Sequence, residues 1–90
     1  MPRKVYWTKV AGNVHAKKWM DDAIQFYADD GKANIANGDS AVVDRADKSI
    51  RLTIKEREFY KLALFRVTLR PFTDDDGFPA LLVCSVKRVP

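Results

Sequence analysis

Two segments in the second half of the chain alternate between apolar and polar residues with a period of two. In the first, Ile50, Leu52 and Ile54 are separated by polar residues. In the second, residues 59–70, the odd positions are mostly apolar and the even positions change from apolar to basic along the segment. Because successive side chains of a β-strand point to opposite faces, this spacing predicts two strands, each with one buried and one solvated face. A chain of 90 residues has room for one core, so we expect a single domain over residues 1–90.

A segment ahead of these strands has helical periodicity. Asn13 is a suitable capping residue for its start, and Gly31 is expected to end it because glycine adopts the left-handed conformation at little cost. A helix over residues 13–30 would present one apolar stripe, which is the cover that one face of a sheet needs. The residues that form the stripe are Ala16, Trp19, Met20, Ala23, Ile24 and Tyr27.

Three further segments have the composition of strands. They are residues 4–8, 41–43 and 80–86, and the last is apolar on both faces, as expected of a central strand. Residues 32–40 are expected to form a loop with at most one helical turn, and the proline- and aspartate-containing residues 71–79 to form a second loop. The predicted fold is α+β, with one amphipathic helix packed on a four- to five-stranded, mostly antiparallel sheet.

Composition limits the environment in which such a chain functions. The lone cysteine, Cys84, cannot form an internal disulfide and is expected to be a small buried residue, which suits a reducing compartment. No apolar run approaches the roughly 20 residues of a membrane span, and the first residues lack the apolar core of a secretory signal. We therefore expect a cytoplasmic protein that does not bind membranes.

No motif in the sequence identifies an enzyme, a metal site or a cofactor site. The single histidine, His15, has no partner ligands at helical or turn spacing, and we expect it to lie on the surface. The acidic run Asp74–Asp76 lacks the alternating ligands and distant glutamate of a calcium loop, so it is interpreted as a solvated hairpin tip. The sequence contains no glycine-rich phosphate loop and no nucleophile motif. We predict no catalytic residues, no metal and no cofactor.

The charge distribution gives the main functional signal. The net charge is +4; residues 1–47 contain seven basic and seven acidic residues, whereas residues 48–90 contain nine and five, so the whole surplus lies in the second half. Basic side chains that converge bind phosphate, and aromatic faces stack on unpaired bases. We predict an anionic partner, either nucleic acid or an acidic protein surface, and Tyr60 and Trp19 as aromatic contacts; the alternative is that these charges only solvate the open face of the sheet. The predicted binding residues are Arg51, Lys55, Arg57, Lys61, Arg66, Arg70, Lys87 and Arg88.

Two other functions fit a small basic chain without motifs. One is an inhibitor of phage or mobile-element type, a monomer or homodimer that blocks a host protein with its sheet edge, Trp19 and basic strands.

The other rests on three segments, residues 49–53, 60–67 and 81–88, which are similar to the second half of RelE/ParE-type toxins. That resemblance implies a ribonuclease in which Arg51, Lys61 and Arg88 bind and polarise RNA phosphate. The chain departs from the family pattern in having one predicted helix before the sheet, where the family has two, and a longer loop at residues 71–79.

Overall fold

In a computed structural model, residues 3–9, 18–58 and 61–89 of the chain are described, with the side chains of residues 57, 58 and 61 also outside the description. The described residues form one helix, one short 3-10 turn and five strands. In chain order these are β1 (Lys4–Trp7), α1 (Lys18–Asp30), the 3-10 turn (Ile35–Asn37), β2 (Ser40–Asp44), β3 (Ser49–Glu58), β4 (Lys61–Thr73) and β5 (Pro79–Val89).

The five strands form a single sheet in the order β1-β5-β4-β3-β2. Neighbouring strands are antiparallel except at one edge, where β1 runs parallel to β5. The predicted α+β fold with one helix and a mostly antiparallel sheet is confirmed. The strand predicted to be central, residues 80–86, does lie inside the sheet, between β1 and β4.

The core lies between α1 and one face of the sheet. Met20 and Ile24 of the helix are fully buried, and so are Leu52, Val67 and other apolar residues of the central strands. The alternation that predicted β3 and β4 therefore gives their buried face correctly. The opposite face of the sheet, which we call the open face, carries no helix among the described residues.

The C-terminal end of the helix is set by a local feature of the chain, a glycine in the left-handed conformation. Gly31 adopts φ +74°, and its N–H donates to the Tyr27 carbonyl oxygen at 2.8 Å. This confirms Gly31 as the helix end, because the left-handed conformation lets the chain turn away while satisfying a terminal carbonyl. The predicted start at Asn13 and the predicted surface position of His15 lie outside the described residues.

The loop predicted for residues 71–79 is shorter than expected. β4 continues to Thr73 and β5 begins at Pro79, so only residues 74–78 connect the two strands. Pro71 stays in the strand opposite Leu81 because β4 has no partner on its β3 side beyond Leu69, and an unpaired edge tolerates a residue without an N–H.

The lone cysteine also differs in part from the prediction. Cys84 is half-buried, at the point where the register between β4 and β5 shifts by one residue next to Thr68. An extra residue in one strand is a β-bulge, and it leaves the inserted residue without a directly opposite partner.

In the part of the chain that the structure describes, no helix combines the length and the apolar character needed to cross a membrane.

Candidate functional site

Strand pairing decides which of the predicted basic residues share a face. Arg51 lies opposite Thr68, Arg66 lies opposite both Thr53 and Lys87, and directly paired positions point to the same side of a sheet. The buried residues of these strands, such as Val67, face α1. The residues that alternate with them along each strand therefore face away from the helix. The register therefore brings together on the open face the basic residues Arg51, Lys55, Arg66, Arg70 and Lys87.

Four of these residues form what we call the basic cluster: Arg51, Lys55, Arg66 and Lys87. Arg66 and Lys87 are directly opposite each other on β4 and β5, which places their Cβ atoms about 5 Å apart. None of the ion pairs between described residues involves a member of the cluster. No acidic residue occupies a described open-face position of β3, β4 or β5. The cluster is thus a concentration of positive charge with no carboxylate at the described positions of the same face of these strands.

Lys55 lies at the border of the cluster, where β3 passes the 3-10 turn. Its backbone N–H donates to Asp39 Oδ1 at 2.9 Å, and its carbonyl accepts from Asn37 Nδ2 at 3.0 Å. The side chain runs across Gly38, where an added Cβ would meet Lys55 Cδ at 2.9 Å. Gly38, at φ +84°, therefore gives the lysine stem its path as well as closing the turn.

Arg70 shares the open face but is already paired. Its guanidinium donates to both carboxylate oxygens of Asp47, at 3.2 and 3.1 Å, and to the Asp47 carbonyl at 3.1 Å. Hydrogen bonds from Ser49 and Arg70 lower the pKa of Asp47 below its usual value. Arg70 thus contributes less net charge to the face than the cluster residues do.

The remaining predicted residues are placed elsewhere or lie outside the description. Arg88 pairs with Phe65, so it belongs to the face that α1 covers, although its side chain is exposed at the end of the sheet. Trp19 is half-buried on α1, with its ring 5.3 Å from that of Phe65, and so lies on the opposite side of the sheet from the cluster. The side chains of Arg57, Lys61 and Tyr60 lie outside the described residues.

Three exposed aromatic residues, none of them among the predicted contacts, lie at the other end of the open face. Tyr6 is 39% exposed, Phe72 39% and Phe78 55%. The rings of Tyr6 and Phe72 meet edge to face with 5.5 Å between centroids, and Lys4 Nζ lies 5.0 Å from the centre of the Phe78 ring. We call these three residues the aromatic end. Phe72 is the next even-numbered residue of β4 after Arg70 and lies on the same face. Extending the alternation past Pro71 would therefore have predicted its position from the sequence.

Asp74 holds the aromatic end together. Its Oδ1 accepts from the N–H groups of Phe78 at 2.8 Å and Asp76 at 3.1 Å, while its Oδ2 accepts from the Tyr6 hydroxyl at 3.0 Å. The Asp74 side chain is only 6% exposed, so the interpretation of Asp74–Asp76 as a solvated tip is wrong for its first residue. The reason is that a carboxylate able to accept several hydrogen bonds within a tight loop is drawn inward.

The same contacts shift two pKa values in opposite directions. The Phe78 N–H, the Tyr6 hydroxyl and the nearby Lys4 charge lower the pKa of Asp74. The hydrogen bond to Asp74, with the neighbouring carboxylates, raises the pKa of Tyr6. Tyr6 therefore stays a hydrogen-bond donor, and Asp74 a charged acceptor, throughout the neutral range.

Two further features of the described residues concern metal binding and pockets. Among these residues, no three His, Cys, Asp or Glu side chains lie together as metal ligands would. An open pocket of about 420 Å³ lies beside the basic cluster, between the 3-10 turn and the stem of Lys55, with Ile35 and Leu62 in its lining.

Comparison with known proteins identifies no relative: no protein-family model, no curated protein and no solved structure matches this chain. The resemblance to RelE/ParE-type toxins therefore rests on the three sequence segments alone. The register puts Arg51 and Arg88, which that mechanism would require together, on opposite faces of the sheet.

Proposed function

We propose that this chain is a non-enzymatic protein that binds nucleic acid on the open face of its sheet. The observation that carries the proposal is the direct opposition of Arg66 and Lys87, flanked by Arg51 and Lys55, with no acidic residue at the described open-face positions of β3, β4 and β5. If these charges served only to keep the surface solvated, there would be no benefit in placing two of them directly opposite each other.

Convergent basic side chains are suited to a polyanion. Like charges directly opposite on neighbouring strands destabilise a sheet, and a phosphate placed between them removes that repulsion. Binding also releases the counterions condensed on the nucleic acid, which makes affinity fall with salt concentration. Arginine adds bidentate geometry, since its planar guanidinium matches two phosphate oxygens.

Fluorescence-anisotropy titration with labelled single-stranded RNA, single-stranded DNA and duplex DNA tests the proposal. The Arg66→Gln/Lys87→Gln double variant loses two phosphate contacts, and a counterion exponent of about 0.7 per contact corresponds to a roughly 60-fold weaker affinity for single strands in 50 mM salt.

The matched control is the Lys18→Gln/Arg88→Gln double variant, which removes the same net charge from exposed positions on the side of the sheet that α1 covers. We expect it to bind within about threefold of the wild type. Equal weakening by both double variants would show that only net charge matters, and the open face would then not be the binding site.

A protein partner is the second candidate, supported by the edge of the sheet at β2, which pairs with no described strand other than β3. Val42 and Val43 are both 57% exposed on this last strand, although they point to opposite faces. An exposed edge strand with apolar side chains is a template for strand addition by another chain. An inhibitor of phage or mobile-element type would use this edge to form one stoichiometric complex with little salt dependence. A Val43→Lys variant, which lies opposite Ile50 and away from the open face, should abolish such a complex while leaving nucleic-acid binding intact.

A further inference from the structure

The aromatic end and the basic cluster lie on the same face of the sheet. In the register, Arg70, Leu82 and Tyr6 form one row across β4, β5 and β1, and the next row contains Phe72 and Lys4. Phe72 and Arg66 are six residues apart on β4 and on the same face, which corresponds to about 20 Å along the strand. A ligand that occupies both ends must therefore be extended and must offer both negative charge and flat apolar surfaces.

The three rings are held in place before any ligand arrives. Tyr6 is fixed by its hydrogen bond to Asp74 and its contact with Phe72. The backbone of Phe78 is held by its N–H, which donates to Asp74 Oδ1, and its ring is in contact with the Lys4 ammonium group. Exposed aromatic rings that are already ordered lose little conformational entropy on binding, which favours affinity.

Base pairing decides which nucleic acid can use these rings. In a duplex the base faces are stacked on their neighbours inside the helix, so an aromatic side chain reaches them only if the stack is opened. In a single strand the bases are free to stack on aromatic side chains while the phosphates contact basic ones.

The loop next to the rings limits where the phosphates can lie. Asp75 and Asp76 are exposed in the loop beyond the strands, and their charges act on Tyr6. Phosphates are repelled from this loop and attracted toward Arg66 and Lys87. A bound strand would therefore extend from the aromatic end along β4 toward the basic cluster.

We propose that the aromatic end stacks on unpaired bases, so that the open face selects single-stranded nucleic acid over duplex. This inference rests on the proposed nucleic-acid function and specifies which form of nucleic acid the same face prefers.

The test compares ring-removing variants on single strands and duplexes. Phe72→Thr keeps a strand-favouring residue, and Phe78→Ser alters an exposed loop position, so each removes one ring with little risk to the fold. For each stacked ring that is lost, affinity for a single-stranded oligonucleotide should fall about 5- to 150-fold. Duplex affinity should change less than twofold, because duplex binding uses the phosphate contacts. Tyr6→Phe keeps the ring and should retain at least half of the single-strand affinity.

An abasic oligonucleotide of the same length supplies the control on the ligand side. It keeps the phosphates and lacks the bases, so the wild type should bind it at least as weakly as Phe72→Thr/Phe78→Ser, which keeps the Tyr6 ring, binds the normal strand. On the abasic strand the double variant and the wild type should bind equally. Equal losses on duplex and single strand, or normal wild-type affinity for the abasic strand, would overturn the inference while leaving the basic-cluster proposal in place.

If no nucleic acid binds at 50 mM salt, or if Arg66→Gln/Lys87→Gln changes nothing, the proposed function itself is wrong and the inference fails with it.

Discussion

Replacing either Arg66 or Lys87 by glutamine should stabilise the folded protein. The two residues are directly opposite on β4 and β5, and neither takes part in an ion pair with a described residue. Cross-strand pairs contribute about 0.2–1 kcal/mol, with the sign reversed for like charges. For a domain of this size, relief of that repulsion corresponds to a rise in Tm of about 1–8 °C.

The assay is thermal and urea unfolding of the two single variants, the double variant and Arg88→Gln in low salt. Arg88 is the neighbour of Lys87 on the opposite face of the sheet, so its replacement changes the net charge equally without touching the pair. Either single replacement already removes the repulsion. The gain in the free energy of unfolding of the double variant should therefore be smaller than the sum of the gains of the two single variants. In 1 M salt the gains should largely disappear, since the screening length falls from about 10 Å at 0.1 M to about 3 Å.

Two results would refute this reasoning. If Arg88→Gln stabilises the protein as much as Lys87→Gln does, the effect reflects net charge and not the pair. If the gains of Arg66→Gln and Lys87→Gln add fully, the two side chains do not interact, and the convergence on which the binding proposal depends is absent.

Three further predictions concern the fold that supports the face. Leu69→Ala, at a fully buried position of β4, should lower the free energy of unfolding by about 2–5 kcal/mol in urea denaturation, whereas Leu62→Ala, at an exposed position of the same strand, should change it by less than about 0.5 kcal/mol. Gly31→Ala should cost about 1–2 kcal/mol, because its φ of +74° is unfavourable for a residue with a Cβ even though the surrounding space is open. The lowered pKa of Asp74 means that its contribution to stability is present at neutral pH and is lost as the pH falls from about 4 through the folded-state pKa. The difference in urea midpoint between wild type and Asp74→Asn should therefore shrink below pH 4, and a difference that is constant with pH would contradict the Phe78 N–H contact as the source of the shift.

The predictable part of the fold came from periodicity, which depends on local geometry. The period of two correctly separates buried from open positions over residues 50–54 and 62–70, since the alternation of side chains is a property of any strand. The helix end at Gly31 was equally local. The position of Pro71 within β4 was not predictable, because it depends on where β3 ends on the neighbouring side.

The candidate site depends more on strand pairing than on composition. Arg66 and Lys87 are 21 positions apart in the sequence, and only the register between β4 and β5 places them opposite each other. Lys87 and Arg88 point to opposite faces because they are neighbours on a strand, and the register shows that Lys87 is the one on the open face. Tyr6 and Phe72 come together because β1 pairs with β5 in parallel, a long-range contact that no local pattern encodes.

The salt dependence of single-strand binding tests the central claim most directly. Affinity for a labelled single-stranded oligonucleotide should be measured between 50 and 200 mM salt for the wild type, Arg66→Gln/Lys87→Gln and Arg88→Gln. Four phosphate contacts from the basic cluster predict a slope of log K against log salt of about −2.8, or a roughly 50-fold loss over this range. The double variant should give about −1.4, and Arg88→Gln should keep the wild-type slope. A wild-type slope near zero, or the same slope for the wild type and the double variant, would contradict the claim that the open face binds nucleic acid.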